Sequence, residues 1–229
     1  MAEATAKETR ATAVRNQMRQ DILAGRLKPG QRLMSPDLCA RYDASVGVTR
    51  EALTWLEGQG LVRAHARQGH IVTPLSRKDL EDLTLTRTVI EPIVLRLSIE
   101  HRDIEWESNV VAAHYTMTRT YKLLHEEKAD DAEGADNLEK WSAAHANFHD
   151  ALFRGCPVQR LMAIARKLSE EASLYRRWSD SLVASRDVMA EHLALMDAAV
   201  AGDVDLASRL LTDHIARTAT GLITYTDGD

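Results

Sequence analysis

The 229-residue chain holds two cysteines, two phenylalanines and five prolines, and aromatic residues make up only 5% of it. Cys39 and Cys156 lie in stretches that read as helical. That speaks against a disulfide framework or a thiolate metal site, and both are read as small buried residues. No run of eighteen apolar residues occurs, which excludes a membrane-spanning helix of ordinary length. The opening MAEATAKETRATAV has no apolar segment of the secretory type, so the expected location is the cytoplasm. What is present is enough for a globular protein, since 45% hydrophobic residues over this length can bury a real core.

The net charge of -5 hides an asymmetry. Residues 1–76 carry 11 Lys and Arg against 7 Asp and Glu, or +4, whereas residues 77–229 carry 18 against 27, or -9. A small basic end followed by a larger acidic one suits a chain that meets a polyanion with its first part, although +4 is also common on ordinary surfaces.

Hydrophobic periodicity divides the chain in four. Residues 1–11 are small, polar and aperiodic, and are expected to form an arm. From Thr12, Val14, Met18, Ile22 and Leu23 mark one helical face that stops at Gly25 and Pro29-Gly30. SPDLCARY predicts a short second helix with Ser35 as N-cap and Pro36 in the first helical position. VGVTREALTWLEGQG predicts a third, with Val48, Ala52, Leu53 and Leu56 on its apolar face. Two alternating runs, Leu61–His65 and His70–Leu75, joined by a turn at residues 67–69, predict a hairpin. Three helices and a hairpin over residues 12–75 make a winged helix-turn-helix; any other small α+β domain is the alternative. From Ser76, where Asp79 completes an apparent capping box, to about residue 220 the signal is helical. It is broken only by the acidic HEEKADDAEGADN and by GCP at 155–157, leaving residues 221–229 as a tail. The expected fold is mainly α: a winged helix-turn-helix followed by an all-helical bundle.

In a helix-turn-helix the second helix enters the major groove, so its exposed N-terminal turn should be small or polar. Ser45, Gly47, Thr49 and Arg50 meet that demand. Arg50 has the fork that pairs bidentately with a guanine edge, and Arg15, Arg19 and Arg41 are candidates for phosphates. The alternative for Arg50 is a surface ion pair with Glu51 or Glu57.

Four histidines stand on apolar helical faces. His145 and His149 are one turn apart in WSAAHANFHDALF, His192 shares a stripe with Leu195 and Met196, and His214 follows Leu210 and Leu211. A pair at i and i+4 brings Cβ atoms within about 5–6 Å, close enough for two rings to meet one ion. Two further imidazoles would complete a nitrogen cage suited to zinc, nickel, copper or iron. Four hydrogen-bonded core histidines without a metal are the alternative.

The run ILAGRLKPGQRL, then LCARYDASVGVTREALTWLEGQGLVRAHARQGHIV, resembles the GntR family of bacterial transcription regulators, with its G-x-L-x-P-G turn, REAL motif and glycine-tipped wing. Val46 stands where many members have an arginine after the serine, and Pro36 where many have an arginine in the preceding helix. Base preference is therefore not carried over, and the wing residues Gln68, Gly69 and His70 are expected to supply more of the contact. Residues from 77 onward resemble the helical ligand-binding (FCD-type) domain of the FadR subfamily, through Arg87-x-x-x-Glu91, Phe148-His149-x-Ala151-Leu152 and the His192 to Asp203 motif closing on His214. The resemblance implies a metal held by His149, His192 and His214, with His145 where an Asp or Asn usually stands. It further implies a small organic acid as effector, with Arg87 pairing a carboxylate or merely bridging to Glu91, and Tyr175 and Arg176 as further candidates.

The function expected is a regulator, most simply a repressor acting as a homodimer on a palindromic operator. Zinc or nickel is the expected metal and a short dicarboxylate the expected effector, as in a branch that includes a regulator of glutarate use. A metal-dependent hydrolase is the rival, but the chain has no H-E-x-x-H motif and no general base beside the histidines. A DNA-binding protein without metal or effector is a third reading.

Overall fold

In a computed structural model, which describes residues 10–23, 25–65, 69–74, 76–126, 131–178 and 187–226, the chain divides into two units. The first comprises Met1–Ser76 with Ser173–Trp178, and the second Arg77–Ala172 with Ser179–Asp229. The architecture is mainly α, and its only sheet among the described residues is small and belongs to the first unit.

The first unit contains α1 (Arg10–Leu23), β1 (Arg32–Leu33), α2 (Ser35–Tyr42), α3 (Val46–Gly58), β2 (Val62–His65) and β3 (Gly69–Val72). Helix α1 thus begins at Arg10, inside the stretch read as an arm. Its 3.6-residue stripe buries Val14, Met18 and Ile22 against α3, whose Ala52, Leu53 and Leu56 close the same core. The cap of α2 departs from expectation. Ser35 is already helical and Met34 is the N-cap, with no side-chain hydrogen bond, so Pro36 alone supplies the start signal. Asp43 ends α2 in the left-handed region at φ 46°, a conformation that aspartate tolerates, and Arg10 donates to the carbonyls of Tyr42 and Asp43.

The hairpin pairs Val62 with Val72 and His65 with Gly69. The third strand, β1, which sequence periodicity did not reveal, pairs antiparallel with β3 through Arg32–Ile71 and Leu33–His70. Two residues are too few to carry an alternation. Leu75 and the tip of the hairpin lie outside the described residues.

The second unit contains α4 (Arg77–Glu100), α5 (Ile104–Glu126), α6 (Asp131–Phe153), α7 (Gln159–Trp178), α8 (Val188–Ala201) and α9 (Val204–Thr226), the last turns of α7 falling with the first unit. The acidic stretch breaks the helices less than its composition suggested, since α6 already begins at Asp131, and α9 continues to Thr226. Val94, Leu95, Ile99, Val110, Met117, Phe148, Leu152, Leu195 and Leu211 form the core. Gly155 follows α6 because no side chain fits there: a Cβ would stand 2.6 Å from the Ser98 carbonyl oxygen, and the Gly155 N–H donates to Ser98 Oγ at 2.9 Å. Cys156 is buried as expected, but Cys39 is only half-buried; both are free.

Candidate metal centre and DNA-reading surface

On α6 the apolar stripe of Ala144, Phe148, Ala151 and Leu152 also contains His145 and His149. Helix α8 buries His192 beside Leu195 and Ala199, and α9 buries His214 beside Leu211 and Ile215. The four imidazoles converge: each offers a nitrogen, and these lie within 4.8 Å of one another. Ring centroids range from 4.5 Å (His192–His214) to 6.4 Å (His145–His214), and none of the four is more than 7% exposed.

The donor set fits a transition metal. Imidazoles in their neutral form can present lone pairs to a common point, whereas four imidazoliums would repel at these distances in a medium of low dielectric. The surroundings of His214 support this. Its Nδ1–H donates to Glu191 Oε2 at 3.0 Å, and Arg217 holds the other Glu191 oxygen at 3.3 Å. A carboxylate on Nδ1 fixes the tautomer that leaves Nε2 as an acceptor, the arrangement by which ligating histidines are commonly oriented.

Arg87 and Glu91 are both buried in a bidentate pair, with Nε–Oε1 at 2.6 Å and Nη2–Oε2 at 3.1 Å. Glu91 engages two of five guanidinium N–H groups, so the pair orients Arg87 and leaves donors for a ligand. Tyr175 and Arg176 fall in the first unit, whereas the histidines belong to the second.

Three further groups escaped the sequence reading. His114 Nε2, Thr118 Oγ1 and Trp141 Nε1 are buried polar atoms without a hydrogen bond. His114 stands edge-on to Phe148, with centroids 5.5 Å apart, and Trp141 lies 5.3 Å from His145. Burial pushes the His114 pKa below its usual value, opposed by the charge of Asp197. Trp141 sits one turn before His145, so only its spacing was visible in advance. Glu191 had no signal at all, because its partner is a different helix.

In the first unit Ser45 caps α3, accepting from the Val48 N–H at 3.4 Å. Gly47 and Arg50 are exposed, and among the described residues the Arg50 guanidinium is in no ion pair; Glu57 instead faces His70 at 3.8 Å. Thr49 corrects the sequence reading. It is 1% exposed and its hydroxyl donates back into its own helix, because its position one turn before Ala52 and Leu53 puts it on the core face. Arg15 stacks 4.5 Å over the Trp55 ring, and with Gly47, Arg50 and Thr54 it lines a shallow depression of about 560 Å³ between α1 and α3. Arg19 is half-buried. Arg41 is tied to Asp21 at 2.7 Å, as is Arg26 at 2.6 Å, while the buried Tyr42 hydroxyl donates to the same carboxylate at 2.7 Å. Burial alone would raise the Asp21 pKa, but the hydrogen bonds from Tyr42 and Arg26 and the charge of Arg41 bring it below the usual carboxylate value. Gly69 opens β3 at φ 79°, and Gln68 lies outside the described residues.

Residues 10–72 match the bacterial regulatory proteins of the gntR family, and residues 82–217 match the FCD domain. The chain belongs to the GntR family. It is 38% identical over 202 residues to BphR, an HTH-type transcriptional regulator of Paraburkholderia xenovorans, covering 86% of this chain and 79% of the relative. It is 29% identical to the transcriptional repressor GlaR of Escherichia coli, covering 86% and 89%. A GntR regulator from Rhodococcus sp. RHA1 shares the fold, with a TM-score of 0.74 over 94% of this chain and 98% of that one, at 24% identity. This GntR protein is thus a DNA-binding transcriptional regulator with an FCD domain. Its relatives are regulators, which sets the hydrolase reading aside.

Proposed function

We propose that this GntR regulator is a repressor that binds a palindromic operator as a homodimer and is released by a small carboxylic acid at a metal centre. The observation that carries the reading is the buried convergence of His145, His149, His192 and His214. Together they would hold a divalent transition metal, zinc or nickel by preference, and such an ion supplies a Lewis-acidic position to which a carboxylate oxygen binds. An imidazole that binds a metal does so in its neutral form, so a carboxylate from the acid would offset the charge of the ion.

Arg87, oriented by Glu91, pairs the acid's other end, which favours a short dicarboxylate. Trp141 Nε1–H and the Thr118 hydroxyl are donors for ligand oxygens, and His114, kept neutral by burial, adds a third polar contact. At the other end Arg50 reads a base edge from the start of α3, with Gly47 permitting close approach, while Arg15 and Arg19 meet phosphates. Ser45 and Arg41 act by holding the helix start and the turn in place, and Gln68, Gly69 and His70 form the wing contact. Release requires only that the acid bind more tightly to the arrangement that fits the operator poorly.

Thermal melts with a panel of mono- and dicarboxylates, on metal-loaded and chelator-treated protein, test this. An acid at a hundred times its dissociation constant should add about 2.7 kcal/mol to the metal-loaded wild type and nothing to His149→Ala. Equal responses in both proteins would remove the histidines from the sensing role.

A further inference from the structure

Helix α4 is exposed along one stripe for its whole length: Lys78, Asp82, Leu85, Val89, Ile93, Arg96 and Glu100. At about 100° per residue these seven lie within about 40° of Val89 around the helix axis. The centre of the stripe is apolar and lies in water, with Leu85 66%, Val89 54% and Ile93 45% exposed. Its ends are charged, and the order of charge is plus, minus, three apolar residues, plus, minus.

That order is complementary to its own reverse. If two α4 helices lie antiparallel about a two-fold axis through Val89, Leu85 comes level with the partner's Ile93 and Val89 with the partner's Val89. Lys78 then meets the partner's Glu100, and Asp82 the partner's Arg96. Arg96 already reaches Asp205 on α9 at 2.6 Å, using one guanidinium edge, so a second carboxylate can take the other. A parallel pairing would oppose like charges at all four positions. Helix α5 also exposes apolar residues, Ile104, Val111 and Tyr115, but the exposed charges on or beside that stripe, Lys122 and Arg119, are both positive and give no such match.

We propose that this stripe of α4 is the surface on which a second copy of the chain docks, as an isologous antiparallel helix pair with Val89 on the two-fold axis. The inference rests on the homodimer in the reading above and on neither the metal nor the acid. Sedimentation of the full chain tests it. Wild type should sediment as a dimer, and Val89→Asp should weaken the dimer by about tenfold or more, as for truncation at the centre of an interface. Glu100→Lys should weaken it too, and Lys78→Glu added to Glu100→Lys should restore it, a rescue that misfolding cannot produce. In a Cys39→Ser background, Val89→Cys should cross-link to itself under mild oxidation, whereas Lys122→Cys, remote on α5, should not. A monomeric wild type would overturn the homodimer and this surface together. A dimer indifferent to Val89→Asp, without charge rescue or cross-link, would overturn the surface and leave the homodimer standing.

Discussion

Each unit buries a polar cluster, and the two clusters are built on opposite principles. In the first unit Asp21 is a negative charge surrounded by its own compensation, with Arg26, Arg41 and the Tyr42 hydroxyl all donating to it. In the second unit four imidazoles gather their ring nitrogens within 4.8 Å of one another, and a carboxylate, Glu191, stands behind His214 and orients it. A buried charge that is paired and hydrogen-bonded is a structural fastener; donor nitrogens gathered at one point can hold a cation.

The comparison breaks most visibly if the second cluster is emptied. Zinc or nickel at a thousand times its dissociation constant should stabilise wild type by about 4 kcal/mol. His149→Ala should lose that increment, while Asp21→Ala should keep it. Next in size, Asp21→Ala should destabilise the first unit by about 3 kcal/mol, because the Tyr42 hydroxyl is left buried without its acceptor and two arginines lose their anchor. Amide hydrogen exchange would locate the loss in residues 10–72 and leave the histidine helices protected.

The pH dependence of the first unit follows from the lowered folded pKa of Asp21. Its stabilisation is complete above the unfolded carboxylate value of about 3.9 and disappears as the pH falls through the lower folded value. Asp21→Asn should flatten that part of the acid-unfolding curve. Glu191→Gln sharpens the comparison from the other side: it keeps all four ligands, yet should weaken metal affinity by about 10–100-fold. Titration with a competing chelator measures it, and an unchanged affinity would reduce Glu191 to a surface ion pair with Arg217. The smallest effect is expected at the DNA-reading helix, where Ser45→Ala should cost about 1 kcal/mol for the lost cap. Gel shifts at saturating protein should then show an intact complex, whereas Arg50→Ala should abolish sequence preference.

The fold class was legible because its signals are local. The α1 stripe, the REAL helix and the alternation of the wing each need only a few consecutive residues. Local signals misled where a position serves two roles: Thr49 has the chemistry of a groove contact but the helical phase of Ala52 and Leu53, and the phase won. Ser35 resembled a cap, yet the backbone was already helical there.

The sequence by itself determined which helical faces carry His145, His149, His192 and His214, because 3.6-residue periodicity is a property of each helix alone. Only the tertiary structure decided that three faces far apart along the chain converge within 4.8 Å, that Glu191 stands behind His214, and that Tyr175 and Arg176 belong with the other unit. The physical reason is that convergence depends on how packed side chains set the positions of whole helices, and no spacing within one helix encodes where another will lie.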